Sequence, residues 1–214
     1  MKTMKRLAII GSGDLGQQMA YHAFSDNHYQ PVGFFDDYQL VGTVKYGYPV
    51  LGKLNEIKFF FDQGKFDVIM IALGYRHLSL KENIFNKFKN SIPFGTILHS
   101  SSYIDSTCKI GNGVFIYPGC VLDMNTVVKD NVLLNVGCII AHDSTIGEHS
   151  FLSPSVQVAG FVNIGRKVSL GIGTVVIDNI SIIDNVRTGA GAVVTKNLND
   201  HGLYVGMPAF FKKQ

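Results

Sequence analysis

From Leu98 onward, every sixth residue of the chain is a large aliphatic one. The register runs Leu98, Ile104, Ile110, Ile116, Leu122, Val128, Leu134, Ile140, Ile146, Leu152, Val158, Ile164, Leu170, Val176, Ile182, Thr188 and Val194, with Thr188 as its one interruption. Four residues further on, a second register carries small or β-branched side chains, among them Val114, Cys120, Thr126, Cys138, Ser144, Ser150 and Val156. A period of six fits neither a helix nor an ordinary strand, whose side chains repeat every 3.6 and 2 residues. It predicts a hexapeptide β-helix, in which six residues make one short strand and a turn, and three strands make one coil. Each face of such a prism needs one bulky apolar side chain pointing inward, with a small one beside it near the corner. The turn positions hold Gly111, Gly113, Gly119, Asn125, Asn131, Gly147, Gly165 and Asn185, residues that tolerate tight or left-handed backbone. At roughly eighteen residues per coil and ~4.8 Å between strands, about five coils make a column roughly 25 Å tall.

Ahead of the repeat the pattern changes in kind. An apolar run over residues 6–11 leads into Gly11-Ser12-Gly13-Asp14-Leu15-Gly16, and then a helix through Phe24. A second strand begins at Pro31 and ends in Asp36 and Asp37; a third runs from Asp67 to Leu73 and ends at Gly74; a helix follows from Ser79 to Asn90. This predicts a small Rossmann-like βαβαβ unit over residues 1–95, too short for a six-strand dinucleotide fold, and an all-β unit over 96–214. GxGxxG between a strand and a helix points to a nucleotide whose phosphates meet free N–H groups at the helix N-terminus. Asp36 and Asp37 would then accept hydrogen bonds from ribose or base. The alternatives are a tight βα turn without a ligand and a solvated pair of carboxylates.

Composition narrows the function classes. The 214 residues carry a net charge of +3, with eleven Lys/Arg against eight Asp/Glu before residue 104 and eight of each after it. No basic run forms a nucleic-acid stripe, so nucleic acid is not an expected partner. No apolar run reaches the length of a membrane span and no signal-peptide layout opens the chain, which points to a cytoplasmic protein without membrane insertion. Cys108, Cys120 and Cys138 fall in the small inward register and are expected to be reduced core thiols, with no disulfide and no metal.

Several segments together carry a family resemblance. They are Gly11–Gly16, Phe34-Phe35-Asp36-Asp37, Val41-Gly42, Pro49–Gly52, Ile71–Gly74, the hexapeptides with His142–Glu148, and Val205–Ala209. In these the chain resembles the sialic-acid and nucleotide-amino-sugar O- or N-acyltransferases, over nearly its whole length. The resemblance implies a homotrimer of left-handed parallel β-helices with active sites between subunits. It also implies acetyl-CoA as co-substrate, no metal, and an N-terminal domain holding the nucleotide sugar through Gly11, Gly13, Asp14, Leu15, Gly16, Asp36, Asp37 and Gly74.

The family's catalytic His followed by an acidic residue corresponds to His142-Asp143. An amine or hydroxyl attacking a thioester must lose a proton, and imidazole is well tuned to take it near neutral pH. A neighbouring carboxylate fixes the imidazole tautomer. The resemblance further places Phe151, Gly160, Ile172 and Ala190 along acetyl-CoA, with the Gly160 N–H toward the thioester oxygen. Two departures stand out: Phe151 replaces the family's second histidine, and Asp14-Leu15-Gly16 stands where relatives often read Gly-His-Gly. Arg166, Lys167, Arg187 and Lys196 are either CoA-phosphate contacts or solvated turn residues. Of the remaining histidines, His149 has the wrong spacing for the family's second histidine, and His22, His28, His77, His99 and His201 are expected in surface or loop positions. The expected activity is N-acetylation of a nucleotide-linked amino sugar of the 4-amino-4,6-dideoxy type, for surface glycan biosynthesis. O-acetylation of a sialic acid or other sugar is the near alternative, and a non-catalytic trimeric scaffold the distant one.

Overall fold

The computed structural model describes residues 4–212. The chain forms two compact units, one ending at Ile97 and the other opening at Leu98.

The first unit is a twisted sheet with helices. Its elements are β1 (Arg6–Ile10), α1 (Asp14–Ser25), β2 (Gln30–Phe35), β3 (Val44–Lys45), β4 (Tyr48–Gly52), α2 (Ile57–Asp62), β5 (Val68–Ile71) and α3 (Leu78–Phe88). The sheet order is β3-β4-β2-β1-β5, all parallel except the β3–β4 hairpin. The Rossmann-like arrangement is as expected, with one addition: between β2 and β5 in sequence the chain forms the β3–β4 hairpin, whose second strand joins the sheet beside β2 as a fourth parallel strand. Its signal was weak because Tyr46-Gly47 is a two-residue turn flanked by strands too short to show alternation, and Tyr46 and Gly47 both take positive φ there. The core is apolar and aromatic, with Ile10, Phe35, Phe66, Ile69, Phe85 and Phe88 buried together. β1 lies in the sheet between β2 and β5, and the chain leaves it first toward β2 and later toward β5. In open α/β sheets this topological switch is where ligands bind, beyond the carboxyl ends of the strands.

The second unit is a parallel β-helix with three faces. The first face stacks Tyr103–Ile104, Val121–Leu122, Ile139–Ile140, Gln157–Val158, Val175–Val176 and Val193–Val194. The second stacks Lys109–Ile110, Val127–Val128, Thr145–Ile146, Asn163–Ile164 and Ser181–Ile182. The third runs from Ile97–Leu98 through Phe115–Ile116, Leu133–Leu134, Phe151–Leu152 and Ser169–Leu170 to Val186–Thr188, then Gly202–Val205 and the antiparallel Phe210–Lys212. Residues 18 apart pair directly, as Val121 with Ile139 and Ile139 with Gln157. The aliphatic register fills the prism, with Leu122, Ile140, Ile146, Leu152 and Leu170 all fully buried. Thr188 keeps its place by hydrogen bonding: its Oγ1 lies 2.8 Å from Thr174 Oγ1 and accepts the Gly171 N–H at 2.9 Å. The three cysteines are free thiols.

The turn residues divide into two physical kinds. Gly113, Gly119, Asn125, Asn131 and Asn185 take the expected left-handed φ, but so do Asp143, His149, Ser155, Phe161 and Lys167. Gly111, Gly147 and Gly165 do not; they are small because the next coil passes over them. A Cβ on Gly165 would stand 2.7 Å from the Asp184 nitrogen, and one on Gly147 would overlap the carbonyl of Gly165. At Gly147 every atom so approached is backbone, which cannot rotate away. Gly147→Ala is therefore expected to destabilise the second unit by about 1–3 kcal/mol, seen as a lower denaturant midpoint at unchanged m-value.

Candidate functional site

In the first unit the sequence-predicted residues converge at the carboxyl edge of the sheet. The Gly11 N–H donates to the Phe35 carbonyl at 2.9 Å, and the Ala72 N–H donates to the Ile10 carbonyl at 2.8 Å. This brings the glycine loop between the ends of β2 and β5, where Gly74 opens a 3₁₀ turn. The three loop glycines have separate reasons. Gly11 has φ of +97°, and a Cβ on Gly16 would overlap the Gly11 carbonyl. Gly13 is the N-cap of α1, makes no side-chain cap, and has open space where a Cβ would stand, as has Gly74. An uncapped helix start beneath open space is the arrangement that receives a phosphate.

Asp36 is hydrogen-bonded into the glycine loop. Its Oδ2 accepts the Ser12 N–H at 2.9 Å and the Ser12 hydroxyl at 2.6 Å, and its Oδ1 accepts the Tyr38 N–H at 2.9 Å. Asp37 Oδ1 accepts the Leu54 N–H at 2.9 Å. Asp36 thus ties the glycine loop to the end of β2, with both carboxylate oxygens engaged. Lys53, which sequence reading overlooked, closes the same corner by donating to the carbonyls of Asp37 and Gln39 at 2.7 and 2.9 Å. Asp14 is exposed and Leu15 half-buried. Asp14, Gln17, Gln18, Tyr21 and Tyr46 line an open groove of about 390 Å³ along α1.

In the second unit, His142 and Asp143 occupy the corner between the first and second faces. His142 Nδ1 lies 3.0 Å from Asp143 Oδ2. That hydrogen bond first, and one from Asn125 second, hold the Asp143 carboxyl below the ordinary carboxylate range. An ionised carboxylate only accepts, so Nδ1 is the donor in this contact, and in the neutral ring Nε2 is left with its lone pair. Asp143 sits at φ +56°, a backbone that Asp tolerates better than most residues. One coil on, Gly160 lies against the imidazole: a Cβ there would stand 2.8 Å from His142 Cε1. The Phe161 ring meets the imidazole edge-on, with centroids 5.1 Å apart. Asn125, one coil back, donates from Nδ2 to Asp143 Oδ1 at 3.0 Å. Asn125 and Phe161 were missed, although a spacing of 18 on either side of Asp143 singles them out.

The other residues expected along acetyl-CoA are not gathered around His142 within one chain. Phe151 is buried on the third face, beside Leu133 and Ser169. Ile172 and Ala190 are exposed at the corner between the third and first faces, stacked so that the Gly191 N–H donates to the Ile172 carbonyl at 2.8 Å. Of the four basic candidates, Arg166 lies 4.0 Å from Glu148 between the second and third faces, while Lys196 continues the His142 column three coils further on. Lys196, Asn197, Asn199, Asp200, Tyr204, Phe210 and Phe211 line a cavity of about 280 Å³ there. His149 is buried, its Nδ1 3.0 Å from the Asn131 amide. Among the described residues no cluster of His, Cys, Asp and Glu forms a metal site, and no helix is long and apolar enough to cross a membrane.

Asp36 allows a pH test of the loop. Burial by itself would raise its pKa, but the hydrogen bonds from Ser12, with those from Tyr38 and Gln39, outweigh it and hold the carboxyl below its ordinary value. A carboxyl depressed in the folded state contributes stability above its unfolded pKa of ~3.9, lost as pH falls through the folded value. Asp36→Asn should therefore melt lower than the parent at pH 7, and the difference in Tm should narrow as both are acidified below about pH 4.

Comparison with known proteins agrees with this architecture. Residues 6–88 match the family described as the PglD N-terminal domain. No curated protein sequence matches the chain. Among solved structures, a variant of perosamine N-acetyltransferase from Caulobacter crescentus, in complex with CoA and GDP-perosamine, is 24% identical with a TM-score of 0.91, covering 97% of each chain. The acetyltransferase domain of PglB from Neisseria gonorrhoeae is 26% identical with a TM-score of 0.89, over 96% of this chain and 98% of that one. WeeI from Acinetobacter baumannii AYE is 23% identical with a TM-score of 0.84, over 95% and 98%. Residues 6–88 thus match the PglD N-terminal domain, and the chain is similar in fold, along nearly its whole length, to these sugar acetyltransferase structures.

Proposed function

We propose that this protein is an acetyl-CoA-dependent N-acetyltransferase acting on the amino group of a nucleotide-linked sugar of the 4-amino-4,6-dideoxy type, for surface glycan biosynthesis. The observation that carries this is the His142 imidazole, held by Asp143 with Nε2 free, at an open corner of a hexapeptide β-helix. Support comes from relatives whose structures hold CoA with GDP-perosamine, and acetyl coenzyme A.

His142 Nε2 takes the proton from the sugar amine as its nitrogen attacks the thioester carbonyl carbon. The carbonyl oxygen gains charge, and the Gly160 N–H, one coil along, is the donor suited to it. The carbon–sulfur bond then breaks, and the imidazolium returns the proton to the departing thiolate, leaving an amide and a free thiol. Asp143 stays ionised and steadies the imidazolium between the two transfers. Three coil steps of ~4.8 Å separate His142 from Lys196. The cavity about Lys196, Tyr204 and Phe210 is therefore placed to take the phosphate and adenine end of CoA. In the first unit, Gly13 and Gly74 leave room for the nucleotide diphosphate.

The reading includes a homotrimer. On the first face the outward side chains Tyr103, Val121 and Ile139 form an exposed apolar ladder, interrupted by Gln157 and resumed by the half-buried Val175 and Val193. Ile172 and Ala190 lie along one edge of that face and His142 along the other, so a neighbouring copy is needed to join them. Ile139→Asp is expected to shift the protein from trimer to monomer in sedimentation velocity and to abolish turnover with it.

The direct test is thiol release from acetyl-CoA with GDP-, UDP- and dTDP-linked 4-amino sugars, and with free sialic acid. Rapid release with one nucleotide amino sugar is expected, and His142→Ala should lower turnover by ~10²–10⁴-fold with little change in KM. Release with sialic acid alone would replace the amine by a hydroxyl acceptor; silence throughout would favour the scaffold reading.

A further inference from the structure

We infer that Asn125 is a positioning residue for the reaction, holding Asp143 from one coil away so that the His142 tautomer is fixed before substrate arrives. The inference rests on His142 acting as the base. Asn125 is exposed and occupies a left-handed turn at φ +58°, a position that by itself asks only for a residue tolerant of that backbone. Other asparagines in such turns of the β-helix aim elsewhere: Asn179 donates to Asp178 in its own coil at 2.6 Å, and Asn131 faces His149. Asn125 donates across the coil step to Asp143 Oδ1 at 3.0 Å, leaving Oδ2 for His142.

Asn125 is itself anchored from the preceding coil. Its backbone N–H donates to Thr107 Oγ1 at 2.7 Å, and the Thr107 hydroxyl donates to Asp105 Oδ1 at 2.6 Å. Each hydrogen bond in the series therefore has its direction set. Thr107 gives its proton to Asp105 and so receives from Asn125; Asn125 and His142 both give to Asp143. Three successive coils fix the carboxylate, and the carboxylate fixes which imidazole nitrogen is bare. Without the amide, Asp143 stands at an exposed corner with one oxygen unheld and a χ1 and χ2 free to turn, and the proton on His142 can move to Nε2, the atom that must accept. Asp105, Cys108, Asp123, Asp178 and Lys196 are the other ionisable groups along this corner, each in a different coil from His142.

Asn125→Gly is the informative variant, because glycine keeps the left-handed backbone and removes only the amide. Two readouts are taken on the full-length protein: steady-state kinetics, and the ¹⁵N shifts of the His142 ring at a pH where it is neutral. In the parent the ring should be Nδ1-protonated. In Asn125→Gly it should become a mixture of tautomers, with kcat lowered about tenfold and KM for both substrates unchanged. Asn125→Asp removes the same donor and adds a negative charge, so it should also move the acid limb of the kcat profile to higher pH. A variant that keeps the parent's ring shifts and kcat within about twofold would overturn the inference. A fully active His142→Ala would instead overturn the base assignment, while the ring shifts of Asn125→Gly would still report whether the amide holds the dyad.

Discussion

The backbone hydrogen bonds between successive coils set the geometry of the whole second unit. The first residue of successive strands donates to the coil that follows, as Val121 does to Cys138, Ile139 to Val156 and Gln157 to Thr174. These bonds lock a translation of 18 residues, so any two side chains at that separation are stacked neighbours. The core fills because aliphatic residues recur at the same three points of every coil. The corners align for the same reason, and a corner is where the functional groups are exposed. A single inserted residue would turn every following side chain to a different point of the prism and separate Asn125, Asp143 and Phe161 together.

This regularity explains how an exposed surface can hold a polar site in fixed geometry. His142 and Asp143 are both well solvated, and an isolated exposed pair of that kind contributes little to stability. Here the carboxylate is held at both oxygens, the imidazole rests on a residue without a Cβ, and Phe161 closes one side. The phenylalanine occupies a left-handed backbone that disfavours bulky side chains, so the turn is strained where it borders the imidazole. Rigid coils above and below maintain that strain. A loop of the same sequence would relax it.

The first unit solves its problem differently. The glycine loop has open space above it at Gly13, and openness removes contacts that would hold it. Asp36 and Ser12 supply firmness instead, and Lys53 draws together the carbonyls of the chain after β2. The Asp at the end of β2 thus acts on the loop backbone itself. A carboxylate at that position in sequence is compatible with either role, because a βα loop and a bound ribose both offer donors within reach.

The chain's own sequence determined the β-helix, its register, the strand–glycine–helix start of the first unit, and the His142-Asp143 pair. Period, glycine spacing and adjacent residues are local properties and can be read along a line. The tertiary structure alone decided four things. It placed a hairpin between β2 and β5, where strands too short to show a period form only by pairing. It gave Gly147 and Gly165 to close passage between coils and the left-handed turns to His149, Phe161 and Lys167, since the requirement comes from the coil above. It bound Asp36 to Ser12, and it separated Phe151, Ile172 and Ala190 from His142 around the prism. Each is a relation between residues distant in sequence, and the partner that satisfies a hydrogen bond or fills a space is settled only when the coils stack.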